Sequence, residues 1–164
     1  MRTKSIILSS LFILLIPMTA FAILIETLPG QTVGGQPVAV SADFAFSSNT
    51  ITIAVENNVS NPTSVIQNLN GIGFVLTTGQ TTGSLTSSPT NLIYVASTGD
   101  AESLAATASG WTVQSNWMGT GLLLTAVGTS VWPGHTMIGD PGVGGSYPNA
   151  NGSIAGNGPH NPFI

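Results

Sequence analysis

The sequence predicts an all-β, antiparallel β-sandwich of jelly-roll-like type behind an N-terminal signal helix, and three observations predict it. Thr, Ser, Val, Ile, Asn and Gly dominate, while the straight-chain helix formers are nearly missing: 164 residues hold 2 Lys+Arg and 6 Asp+Glu. Large apolar residues alternate from Val38 to Phe46 and again from Thr50 to Glu56, on either side of Ser47-Ser48-Asn49, the period of half-buried strands. The later apolar runs are short and separated by Gly, Ser and Thr, as in a sandwich.

The first element is the leader. Arg2 and Lys4 are the only basic residues; an apolar run over 6–16, a breaker at Pro17 and the small-x-small triplet Ala20-Phe21-Ala22 follow. These are the three regions of a secretory signal peptide over 1–22, with Ala20 and Ala22 defining cleavage after Ala22. The mature chain, 23–164, is then of one-domain size. It holds Glu26, Asp43, Glu56, Asp100, Glu102 and Asp140 and no Lys or Arg, so the net charge of −4 becomes more negative on cleavage and no trypsin site remains. The rival reading is an uncleaved anchor over 6–25, close to the roughly 20 residues that span a bilayer. Pro17, the Ala-Phe-Ala triplet and the immediate turn residues Pro29 and Gly30 argue against it. There is no cysteine, which excludes disulfides, a thiol nucleophile, thiolate metal sites and a lipid-modified cysteine.

Within the mature part, Val38, Val40, Ala42, Phe44 and Phe46 share one strand face. After the turn residues Ser47-Ser48-Asn49, Ile51, Ile53 and Val55 resume the pattern. Residues 37–57 therefore form a β-hairpin with both apolar faces on one side. Pro62 followed by 63–69 predicts a short helix ended by Gly71. Ile72, Phe74 and Leu76 form a third strand, and the runs at 92–96, 111–113 and 122–127 supply further ones. The 101–108 stretch is assigned to a helical turn or a long connection. From about residue 132 Gly, Pro and Asn break every periodic run, which predicts a loop-rich tail. The sequence stops at Asn161-Pro162-Phe163-Ile164, where a closing strand is expected, so the sandwich is expected to continue beyond this point.

The chemistry is mostly a matter of exclusion. Without Lys or Arg the mature part has no anion clamp, no Schiff-base lysine and no means to neutralise phosphates, so nucleic acid is not an expected partner. No glycine-rich phosphate loop is present. His135 and His160 lie in Gly/Pro loops; His135 with Asp140 is the candidate acid–base or metal pair, against the simpler expectation of back-bonded loop residues. Gly144-Gly145-Ser146-Tyr147-Pro148 lacks the closing glycine of a nucleophile elbow. Asp100 and Glu102 are the one close carboxylate pair, more simply a solvated turn than a glycosidase dyad or calcium site. No catalytic residue, metal site or cofactor is therefore expected. Trp111 and Trp117 are the candidate ligand-binding residues: six apart, they would share one face of a continuous strand and could stack on sugar rings, with core packing as the competing role. Asn58-Val59-Ser60 and Asn151-Gly152-Ser153 fit the N-glycosylation pattern, which matters only in a host that uses it.

Several stretches together carry a resemblance. Ala42-Asp43-Phe44-Ala45-Phe46-Ser47-Ser48-Asn49-Thr50-Ile51-Thr52-Ile53, then Glu56-Asn57, Asn61-Pro62-Thr63-Ser64-Val65, Leu69-Asn70-Gly71-Ile72-Gly73-Phe74 and the run from Asn151 to Phe163 resemble the PEP-CTERM type of exported bacterial surface protein. Such proteins combine a signal peptide, a variable β-domain and a C-terminal Pro-Glu-Pro signal read by an exosortase. This sequence has the first two and lacks the third. The resemblance implies a non-enzymatic protein of the cell surface or extracellular matrix of a Gram-negative bacterium, with exopolysaccharide or other envelope proteins as partners. It implies contact with the membrane only through the signal peptide or a missing C-terminal anchor. A carbohydrate-binding module using exposed tryptophans is the alternative.

Overall fold

The computed structural model describes residues 21–127, 134–156 and 160–164. Residues 1–20 of the predicted leader lie outside these residues. The described chain is all-β, with antiparallel sheets, no closed barrel and a sandwich-like arrangement, as the alternation predicted. Ten strands run in order: β1 (Ala22–Glu26), β2 (Thr32–Val33), β3 (Gln36–Pro37), β4 (Val40–Ser47), β5 (Thr50–Asn57), β6 (Gly71–Phe74), β7 (Pro89–Val95), β8 (Ala101–Ala108), β9 (Thr112–Trp117) and β10 (Gly121–Thr125). They form two three-stranded sheets, β1-β4-β5 and β6-β10-β9, and two ribbons, β2-β3 and β7-β8.

The β4-β5 hairpin is the one the alternation requires. Phe44 faces Ile53, Ala42 faces Val55 and Phe46 faces Ile51 across the pair, while Asp43 and Ala45 take the other side with Ala54 and Thr52. Ala42 and Phe44 are buried. The Phe44 ring meets Phe74 of β6 edge-on, with centroids 5.4 Å apart, so this is where the two larger sheets face each other.

The predicted helix after Pro62 shortens to a single 3-10 turn, Val65–Gln67. A capping box sets it: Ser64 Oγ accepts from the Ile66 amide (3.5 Å), and Gln67 Oε1 accepts from the Ser64 amide (3.1 Å). Gln67 also donates to the Pro37 carbonyl (3.0 Å), tying the turn to the start of the hairpin. With its side chain spent on these bonds, the turn stops there and Gly71 opens β6 instead of capping a helix.

A further expectation is corrected. The 101–108 stretch is neither a helical turn nor a connection but the full strand β8, paired with β7 from Ala101↔Val95 to Ala108↔Pro89. Its alanines favour helix intrinsically, and cross-strand pairing overrides that weak preference. Ala22, where the predicted leader ends, is the first residue of β1 and pairs with Ala45 of β4. Among the described residues no helix is long and apolar enough to cross a membrane.

The described part of the tail from residue 134 carries no named strand, as its composition predicted, yet it supplies most of a core. Val95, Ile138, Tyr147, Ile154 and Phe163 form one buried cluster, with Ile93, Val65 and Ala101 packed around it. The last residues pair with the free side of β7: Phe163 and Ile93 exchange two backbone bonds (2.8 and 2.9 Å), and the Asn161 side chain both donates to and accepts from the Val95 backbone (2.6 and 3.0 Å). Pairing at the end of the sequence thus goes to the middle of the chain. Close approach needs Gly139, where a Cβ would overlap the Val59 carbonyl.

Candidate functional site

The two candidate tryptophans are built into different environments. Trp111 precedes β9, is 7 % exposed, and its indole N–H donates to the His135 carbonyl at 2.7 Å. It is a packing residue that joins β9 to the tail. Trp117 ends β9 and is half-buried. Its ring lies against Gly73 of β6 so closely that a Cβ at that position would overlap it. Gly73 alternates with Phe74, and Phe74 faces Phe44 of the opposite sheet, so Trp117 covers the outward face of β6-β10-β9. The two rings therefore do not share a ligand face, which corrects the continuous-strand expectation.

The reason is local. Asn116 and Met118, on either side of Trp117, adopt left-handed backbone (φ 56° and 51°), and the β9-β10 register shifts between Gly121 and Leu123. Alternation counted from Trp111 fails at this bulged hairpin end. Non-glycine left-handed residues cost about 1–3 kcal/mol each, least for Asn, and tend to sit where a side chain must be aimed. Gln114, whose partner Leu123 is itself paired with Gly73, is exposed on the same outward face. Asn116 accepts from the Thr81 hydroxyl at 2.7 Å and its amide donates to the Thr81 carbonyl at 2.7 Å. Ser115 Oγ accepts from the Gly83 amide (3.3 Å), and that loop passes over Leu122 and Val113 on the inward side of the sheet. Trp117 and Gln114 thus give the outward face an aromatic ring and an amide without a fixed charge, a pair that can stack on a sugar ring and bond its hydroxyls.

Sequence reasoning missed Gly73 as the seat of the ring. A lone glycine inside a strand was the available signal, since it marks close approach by another group.

The other candidates separate. Asp100 lies just before β8, and its carboxylate accepts from Thr98 Oγ1 at 2.7 Å within a turn; Glu102 is exposed opposite Tyr94. His135 donates from Nδ1 to the Pro162 carbonyl at 2.7 Å, as a back-bonded loop residue does, and His160 is exposed. None of these lines the groove of about 500 Å³ between the 26–31 and 58–60 segments. Among the described residues no group of three His, Asp or Glu side chains is placed to hold a metal ion.

One titratable group is displaced. Tyr147 is 1 % exposed and donates to the Gly139 carbonyl at 2.9 Å. Burial, with the Asp140 carboxylate adding to it, pushes its phenol from 10.0 up to about 12. A folded-state value above the unfolded one means that this contribution is complete below pH 10 and is lost as the pH rises through about 12. The fold is expected to lose about 2–3 kcal/mol over that window. Denaturant titrations at pH 9.5 and 12 measure it, with Tyr147→Phe reducing the alkaline loss and Tyr94→Phe, at an exposed position, leaving it. An equal loss in Tyr147→Phe contradicts the assignment.

No family model matches the chain, and searches of the curated proteins and of the solved structures give no match.

Proposed function

We propose that this is an exported, non-enzymatic protein of the bacterial surface or extracellular matrix that associates with exopolysaccharide through the outward face of β6-β10-β9. One observation carries the binding part: Trp117 is seated on Gly73 outside the sandwich, between two left-handed residues, with Gln114 exposed on the same face. The export part rests on the leader sequence and the PEP-CTERM resemblance. Trp111, given to packing, drops out of the ligand-binding set.

A charge-free aromatic platform suits a neutral, repetitive polymer, where many weak contacts along the chain add up. Covering one indole face contributes about 1–2 kcal/mol at roughly 25 cal/mol per Å², about tenfold in affinity. Affinity electrophoresis in gels cast with the producing bacterium's exopolysaccharide tests it. Retardation of the exported protein is expected to fall about tenfold in Kd for Trp117→Ala and to persist in part for Trp117→Phe. Unchanged retardation in Trp117→Ala, with the β-type circular dichroism intact, overturns the glycan reading. N-terminal sequencing tests export separately: Ile23 as the first residue supports it, and a cytoplasmic chain retaining Arg2 and Lys4 contradicts it.

A further inference from the structure

Strand β1 is the outer strand of β1-β4-β5, and nothing among the described residues covers its far side. Ile23, Leu24 and Ile25 are 52 %, 60 % and 54 % exposed, and Phe21 and Leu28 flank them, also exposed. The devices that normally blunt an edge are missing: Ala22–Glu26 has no Lys, no Pro and no bulge against β4. The direction of its backbone groups follows from the ladder. The Phe46 amide donates to the Phe21 carbonyl and the Thr27 amide to the Val40 carbonyl, so odd-numbered residues bond β4. The N–H and C=O groups of Ala22, Leu24 and Glu26 therefore point to the open edge.

We infer that β1 pairs with β1 of a second copy, antiparallel about a two-fold axis at Leu24, joining two sheets into one six-stranded sheet. Charge selects this arrangement. A parallel pair would set the two Glu26 carboxylates side by side, which is unfavourable. The antiparallel pair sets Glu26 against position 22 of the second copy. If cleavage follows Ala22, that position is replaced by the α-ammonium of Ile23, the one fixed cation of a chain without Lys or Arg. Leu24 then meets Leu24 through two backbone bonds, and each Glu26 carboxylate lies beside a new amino terminus. The pairing takes from the export reading only the position of that terminus and is independent of Trp117.

The test uses protein recovered after export, with its first residue identified by mass spectrometry. Sedimentation equilibrium across 1–200 μM is expected to show a monomer–dimer equilibrium. Leu24→Lys, which puts a charge on the open edge, shifts it to monomer with an unchanged circular dichroism spectrum. Because the chain has no cysteine, Leu24→Cys is expected to give a disulfide-linked dimer on mild oxidation, whereas Val143→Cys, at an exposed loop tip, does not. A wild-type monomer at 200 μM, a dimer that survives Leu24→Lys, open-ended polymers, or equal cross-linking at both positions each overturns the inference. An N-terminus other than Ile23 with dimerisation intact moves the cleavage site and removes the charge argument, while the strand pairing and the export reading stand.

Discussion

Replacing Phe163 by alanine is expected to lower stability by about 3–5 kcal/mol, a large part of the roughly 5–15 kcal/mol that holds an ordinary domain. Phe163 is fully buried among Val95, Ile138, Tyr147 and Ile154, and its backbone is the partner of Ile93 on the free side of β7. Removing the ring leaves a void in the cluster that joins the tail to β7 and β8. Phe163→Leu, which keeps most of the volume, is expected to cost less than half as much. Urea midpoints with a common slope measure both. A loss below about 1 kcal/mol for Phe163→Ala would mean that the tail is not part of the core.

Asn57→Ala is the second large effect. Asn57 closes β5, and its buried amide nitrogen donates to the Gln67 carbonyl (2.9 Å) and the Met137 carbonyl (3.0 Å) while its oxygen accepts from the Val59 amide (3.2 Å). One side chain thus holds the hairpin, the 3-10 turn and the tail together. Alanine leaves three backbone groups without this partner, at about 1–3 kcal/mol for each that water cannot reach, so a total near 3–5 kcal/mol is expected. Asn57→Asp keeps the acceptor for Val59 but sets a carboxylate against two carbonyls, and it is expected to be no better than alanine. Thermal unfolding of both variants checks this; an Asp variant as stable as the wild type contradicts it.

Where local pattern and tertiary demand coincide, the sequence was legible. The β4-β5 hairpin follows from alternation alone, because Ala42, Phe44, Ile53 and Val55 all need the same side. The tail was legible as loop and not as core. Ile138, Tyr147, Ile154 and Phe163 recur with no strand or helix period, and their burial is fixed by long-range bonds such as the Tyr147 amide to the Gly99 carbonyl (2.7 Å). Strand β8 was hidden by its alanines, whose helix preference is worth only tenths of a kcal/mol against a ladder to β7. At the candidate site, Trp117 was legible as a residue type. Its separation from Trp111 was not, because it depends on the left-handed Asn116 and Met118 and on a register shift that spacing does not encode.

The glycan face is tested most directly by the indole N–H resonances during titration with oligosaccharides released from the producing bacterium's exopolysaccharide, assigned by single Trp→Phe variants. The Trp117 resonance is expected to move with saturation while that of Trp111, bonded to the His135 carbonyl, stays in place. A Trp111 shift without a Trp117 shift, or no shift of either at saturating oligosaccharide, would contradict binding at the outward face of β6-β10-β9.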